Sequence, residues 1–129
     1  MIEVEGIHHT AVIVTDLSRA RQFYSGVLGL AEIPRPDFDF GGAWYRVGDR
    51  QELHLIIYPA ARAVRGTTAI DGRDGHFAMR VGSYTKTLAY LRGQGIECRE
   101  LPLNPTPFAQ IYVTDPDGNV VELNAERGS

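Results

Sequence analysis

Apolar residues in the first half of this chain follow first the two-residue period of a strand and then the three-to-four-residue period of a helix. Residues 6–14 predict a strand, and the helix after it begins at an Asp16 N-cap and stops at Gly29. Its apolar face is predicted to carry Leu17, Ala20, Phe23, Val27 and Leu28. Three more strands are predicted over 30–35, 43–48 and 51–58.

The second half repeats this order. A strand over 75–82 precedes a helix capped by Ser83 and ended by Gly93 and Gly95. Strands follow over 96–101, 108–114 and 119–124, the last two joined by a predicted type I turn at 115–118. Residues 59–74 are polar and contain glycine, which is typical of a linker.

The order βαβββ, linker, βαβββ predicts an α+β fold in which two modules form one curved mixed-sheet cup. We expect a single domain over 1–129, with module 1 at about 6–58, the linker at 59–74 and module 2 at about 75–125.

Polar residues also match between the two halves. HHTAVIV aligns with GHFAMRV, which places His9 over His76, and ELHLII aligns with VVELNA, which places His54 over Glu122. Because side chains alternate across a strand, each of these four residues is predicted to point away from the face packed on the helix.

Taken singly, a strand histidine is usually a partly buried polar residue, and Glu122 alone would be an exposed strand carboxylate. Together, three of the four histidines and one glutamate at matched positions on the same face predict a metal centre. Imidazole and carboxylate ligands suit divalent Zn, Ni, Fe, Co or Mn, and their mixture is typical of catalytic sites. His8 falls on the opposite face and is not a predicted ligand.

Composition narrows the class of protein. The 129 residues are 43% hydrophobic and 22% charged with a net charge of −3, so a nucleic-acid partner is not expected. Neither a signal peptide nor an apolar run of the roughly 20 residues needed to span a membrane is recognisable, so we expect no membrane association. The single cysteine, Cys98, has no activating surroundings and is predicted to be a structural thiol in a cytoplasmic protein.

Three segments carry a resemblance to a known family. IHHTAVIVTDLSRARQFYSGVLGL, GHFAMRV and IYVTDPDGNVVELN resemble the opening strand and helix, the second-module strand and the closing hairpin of the vicinal-oxygen-chelate superfamily. This superfamily includes glyoxalases, bleomycin-resistance proteins and extradiol dioxygenases, and the resemblance covers nearly the whole chain. It implies the glyoxalase/bleomycin resistance/dihydroxybiphenyl dioxygenase fold and selects His9, His76 and Glu122 as ligands.

The resemblance implies a metal-dependent lyase or isomerase of the glyoxalase-like type, acting on a small substrate that chelates the metal. Glu122 would be the catalytic residue, and Arg46, Arg80 and Tyr112 are candidate substrate-binding residues. Two alternatives stay open: a metal-free binding protein of the bleomycin-resistance type, and an Fe(II) extradiol dioxygenase.

The position of His54 departs from glyoxalase I, where a glutamate or glutamine is found. His54 is therefore either a fourth ligand or a base beside a three-ligand site. Since each module leaves an open sheet edge and related two-module members often share their cup between subunits, we also expect a homodimer with sites at the subunit interface.

Overall fold

The computed structural model describes residues 1–58 and 65–129. The chain divides into two compact units, Met1–Arg62 and Ala63–Ser129, which we call the first and second halves. No helix in the described residues is long and apolar enough to cross a membrane.

The first half contains one mixed four-stranded sheet. Its elements are β1 (His9–Val14), α1 (Leu17–Arg21), a π-helical segment (Gln22–Val27), β2 (Ala31–Ile33), β3 (Gly42–Val47) and β4 (Gln51–Ile57). The strand order is β1-β4-β3-β2, and β1 runs parallel to β4 while the other pairs are antiparallel.

The second half repeats this topology. Its elements are β5 (His76–Arg80), α2 (Tyr84–Gly93), β6 (Arg99–Leu101), β7 (Phe108–Thr114) and β8 (Val120–Glu126). The strand order is β5-β8-β7-β6, again with only the β5–β8 pair parallel. The predicted βαβββ repeat and α+β class are therefore confirmed.

Both predicted helix caps are present. The Asp16 side chain accepts a hydrogen bond from the Arg19 backbone N–H at 2.9 Å, and Ser83 accepts one from Lys86 at 3.2 Å. The predicted turn at 115–118 closes through a bond from the Gly118 N–H to the Asp115 carbonyl at 3.0 Å.

The first helix differs from the regular α-helix that the sequence predicts. After Arg21 the chain widens into π-helical turns, which shifts the buried face by one position. Tyr24 is consequently fully buried beside Phe23, whereas Val27 and Leu28 are only half-buried. Several strands are also shorter than predicted, and β1 begins at His9 instead of residue 6.

The sheet faces packed toward the helices form the apolar core of each half. Leu53, Leu55 and Tyr45 are buried in the first half, and Ile111, Val121 and Leu123 in the second. Strand alternation then sends the intervening residues of β4 and β8, among them His54 and Glu122, to the opposite face. This opposite face, which we call the site face of each sheet, carries the predicted ligands.

The predicted linker, 59–74, lies partly outside the described residues. Its described portion contains neither helix nor strand, and Arg65 holds it in place. The Arg65 guanidinium donates to Asp74 at 2.7 Å and to the carbonyls of Gly118 and Ala69 at 2.8 Å.

Candidate metal centre

His9 and His54 meet on the site face of the first sheet. Strands β1 and β4 are paired so that His54 lies opposite Ala11, with His9 one side-chain position further along the same face. The two imidazole rings stack with their centroids 4.1 Å apart and their planes 15° from parallel. The parallel pairing of β1 with β4 thus produces a pair of nitrogen donors.

Hydrogen bonds determine which nitrogen of each ring can bind a metal. His54 Nε2 lies 2.9 Å from Glu52 Oε1, and because a carboxylate accepts, Nε2 carries the proton and Nδ1 of the neutral ring keeps its lone pair. His9 Nδ1 lies 2.9 Å from His8 Nδ1. When His8 Nδ1 accepts this hydrogen bond, His9 Nδ1 carries the proton and the lone pair of His9 is on Nε2. Such partners fix ring orientation in metal sites.

His76 and Glu122 occupy the corresponding site face of the second sheet. The β5–β8 register places Glu122 opposite Ala78, two residues after His76. His76 Nδ1 donates to the Asp74 carbonyl at 2.8 Å, which leaves the lone pair of the neutral ring on Nε2. The His76 ring meets the edge of Tyr112 with centroids 5.4 Å apart.

Glu122 is 5% exposed and is held by neutral donors. Gln110 Nε2 donates to its Oε1, and Asn124 Nδ2 donates to its Oε2 at 2.9 Å. Burial acts to raise the pKa of Glu122, but hydrogen bonds from Tyr112, Asn124 and Gln110 outweigh it and lower that pKa. The carboxylate is therefore charged at neutral pH.

Tyr112 shows the complementary effect. Burial, together with its hydrogen bond to Glu122 and the charge of that carboxylate, raises the pKa of Tyr112 to about 12. The phenol is thus neutral, and its single proton is donated to Glu122.

Each donor pair contains one buried and one exposed side chain. His54 and Glu122 are buried, at 7% and 5%, whereas His9 and His76 are exposed. Taken separately, neither half brings three or more His, Cys, Asp or Glu residues together as a metal-holding group within its described part. Each half, taken by itself, carries two candidate donors whose chemistry suits a borderline divalent ion.

The three candidate substrate residues lie in different surroundings. Arg46 is exposed, with Nη1 3.4 Å from Glu52 Oε2. Arg80 places its guanidinium 5.4 Å above the Phe108 ring. It lines an open cavity of about 750 Å³ within the second half, together with Val81, Gly82, Pro107, Phe108 and Glu126. Tyr112 is buried against Glu122.

Several residues that hold the donors were not predicted from sequence. They are His8 beside His9, Glu52 beside His54, and Gln110 and Asn124 beside Glu122. Strand alternation contains the signal for two of them, since Glu52 and Asn124 are two residues from a predicted ligand and must share its face.

Comparison with known proteins places the chain among glyoxalase-like proteins. A family model described as Glyoxalase/Bleomycin resistance protein/Dioxygenase superfamily matches residues 6–123. Glyoxylase I 4 from Arabidopsis thaliana is 26% identical over 95% of this chain and 71% of its own length. A crystal structure assigned to the glyoxalase family, from Bacillus anthracis, has a TM-score of 0.81 and 28% identity over 98% of each chain. TnmS3, an antibiotic-binding protein from Streptomyces sp. CB03234, has a TM-score of 0.74 and 22% identity over 98% of this chain and 99% of its own.

Proposed function

Since the chain belongs to the Glyoxalase/Bleomycin resistance protein/Dioxygenase superfamily, we propose that it is a metal-dependent lyase or isomerase acting on a small, metal-chelating substrate. His9, His54, His76 and Glu122 are the proposed ligands of one divalent ion. The ion would be Zn, Ni, Fe, Co or Mn, the metals that accept imidazole and carboxylate together.

The burial of Glu122 carries this proposal. Neutral hydrogen bonds stabilise a buried carboxylate but leave its negative charge uncancelled, so a cation is a favourable further partner. Among the described residues Glu122 forms no ion pair, and its hydrogen-bond donors are two amides and a phenol. A bound divalent cation would supply the missing positive charge.

The bound ion would act as a Lewis acid that stabilises negative charge on a substrate oxygen. Around it, the chain's own residues have separate tasks. Glu122 is the only carboxylate in the proposed ligand set and is charged, so it is the residue proposed to accept and return a substrate proton. Tyr112 keeps its proton and donates it to Glu122, so it is proposed to orient that carboxylate beside the substrate.

Metal analysis of protein purified without chelator tests the proposal. We expect close to one divalent ion per chain, and His76→Ala and Glu122→Ala should each lose most of it. Glu126→Gln is the matched control, because Glu126 is an exposed carboxylate on the same strand and face as Glu122. Unchanged metal content in both ligand variants would rule out the proposed metal centre, and with it the proposed metal-dependent reaction.

A second candidate, a metal-free binding protein, is favoured by exposed aromatic rings in the first half. Phe38 and Phe40 are 42% and 41% exposed. The fold is shared with an antibiotic-binding protein. Metal content separates the two candidates, since a sequestering protein would bind its ligand equally well after treatment with chelator.

A further inference from the structure

A row of aromatic rings extends from the histidine pair of the first sheet to an exposed loop. From His9 the row passes to His54 at 4.1 Å, to Trp44 at 4.0 Å, to Phe38 at 6.1 Å and to Phe40 at 5.1 Å, measured between ring centroids. We define the aromatic platform as Phe38, Phe40 and Trp44. It contacts the proposed metal ligand His54 directly, and His9 stacks on the opposite side of the row against His54.

The platform is held in place before any ligand arrives. The Arg35 guanidinium lies 4.8 Å from the Phe38 centroid and 5.1 Å from the Phe40 centroid, and its Nη2 donates to the Phe40 carbonyl at 2.7 Å. This clamp depends on Gly42, because a Cβ there would lie 2.2 Å from the Leu55 carbonyl oxygen and 3.1 Å from Arg35 Nε. The loop is thus anchored on β4 by a close approach that a side chain would block.

Phe38 and Phe40 keep apolar surface exposed to water. The two rings stack on each other 17° from parallel instead of entering the apolar core, and each keeps about two-fifths of its surface in water. Aromatic surface exposed to water beside polar donors is suited to binding a flat apolar group.

We propose that the platform binds an aromatic ring of the substrate, so that the substrate is an aromatic compound whose oxygen atoms face His9 and His54. This inference rests on the proposed function, since the metal-chelating end of the substrate would occupy the metal centre. The chemical class is an aryl-substituted hydroxy acid, keto acid or related vicinal oxygen compound. Arg35 packs on the two phenyl rings as a cation, and the exposed part of Phe38 and Phe40 is the surface proposed for the substrate ring.

Binding of mandelate and lactate provides a matched comparison. Both are 2-hydroxy acids that chelate through a carboxylate and a hydroxyl, and they differ only in a phenyl against a methyl group. With zinc-loaded protein in isothermal titration calorimetry, we expect mandelate to bind at least about tenfold more tightly, since a stacked and buried phenyl group contributes that much or more. Equal affinities for the two acids would overturn the inference.

Variants locate the effect on the platform. The double variant Phe38→Leu/Phe40→Leu keeps apolar volume without aromatic rings, and Phe38→Ala/Phe40→Ala removes the apolar volume as well. Both double variants should bring the affinity for mandelate close to that for lactate. Tyr90→Ala is the control, because Tyr90 is a comparably exposed aromatic residue on α2. Mandelate preference that survives both double variants would place the aromatic site elsewhere and overturn the proposal.

Two further outcomes are separable. If the protein takes up no metal but still prefers mandelate through Phe38 and Phe40, the platform stands and the proposed metal function fails. If sedimentation velocity shows that the double variants change the oligomeric state while mandelate preference is unaltered, the platform is a contact between copies of the chain, and the inference is wrong.

Discussion

The imidazole of His54 lies flat against the indole of Trp44, with ring centroids 4.0 Å apart and planes 3° from parallel. Trp44 is the only tryptophan in the chain, so its fluorescence reports directly on His54. Co²⁺ added to chelator-stripped protein should quench this emission in a saturable way, whereas Zn²⁺, with its filled d shell, should quench it little.

His54→Leu tests whether this signal comes from the metal centre, because leucine offers no metal-binding atom. Losing an imidazole ligand should weaken the Co²⁺ titration by at least about tenfold, because even residues that only orient ligands affect affinity by about 10–100-fold. Tyr58→Phe is a suitable control, since Tyr58 is exposed and lies just beyond β4. Identical Co²⁺ curves for wild type and His54→Leu would exclude His54 from the site.

The amide of Gln110 is predicted to set the metal affinity through Glu122. Its Nε2 donates both to Glu122 and, at 3.0 Å, to the Tyr112 hydroxyl, so Gln110→Leu leaves two buried polar groups short of a donor. We expect metal affinity to fall by about 10–100-fold. Competition with a chromogenic chelator measures it, and Gln94→Leu, at the exposed end of α2, should show no change.

The sequence predicted the repeated topology because glycine, proline and capping residues mark the element ends locally. Asp16, Ser83 and the turn at 115–118 act within a few residues, and each is confirmed. The π-helical turns after Arg21 were not predictable, since nothing in QFYSGV breaks the α-helical spacing, and packing of Tyr24 against Tyr45 is a tertiary effect.

The candidate site was predictable to a similar extent. Strand alternation placed His54 and Glu122 on the faces away from the helices, as observed. It could not show that Glu122 would be buried with Gln110 as donor, because that contact joins β7 to β8 and depends on strand register. Nor could it show that Phe38 and Phe40 stack under Arg35, since loop conformation follows no period.

Cys98 should react slowly with alkylating agents near neutral pH. Burial, followed by the negative charge of Glu100, raises the pKa of the Cys98 thiol above its ordinary value, so the reactive thiolate is scarce. The iodoacetamide rate should rise about tenfold per pH unit between pH 7 and pH 9. Glu100→Gln should accelerate it, and the urea-unfolded chain gives the unperturbed rate. An iodoacetamide rate that no longer rises with pH above neutrality would instead show that Cys98 is an activated thiol.

Mixing two defective chains tests the predicted homodimer with shared sites. In a dimer of His9→Ala with Glu122→Ala, a shared arrangement leaves one of the two sites with all four ligands. We expect the mixture to bind metal again, at about half the wild-type amount per mixed dimer, while each variant alone binds little. Native mass spectrometry confirms that mixed dimers have formed. Absence of recovery in confirmed mixed dimers would assign each site to a single chain.

The final prediction is that the protein has weak or no activity on the methylglyoxal–glutathione adduct. Three neutral imidazoles and one carboxylate leave a bound divalent ion a net charge of about +1, which favours an anionic substrate oxygen. Isomerisation of that adduct also needs a base that moves a proton between adjacent carbons. His54 is poorly suited, because its Nε2 donates to Glu52 at 2.9 Å and its Nδ1 would be occupied by the metal.

Glu52 does not replace the missing base, because its oxygens are engaged by His54 Nε2 at 2.9 Å and Arg46 Nη1 at 3.4 Å. Glu122 is then the one carboxylate of the proposed ligand set that could move a proton. In glyoxalase I, which this chain resembles, a glutamate or glutamine stands at the position of His54. His54→Glu should therefore raise turnover of the adduct above wild type. A direct absorbance assay with nickel, zinc, cobalt and manganese in turn decides the matter. Wild-type turnover near the median enzyme rate of roughly 10 per second with any of these metals would show that His54 permits the glyoxalase reaction.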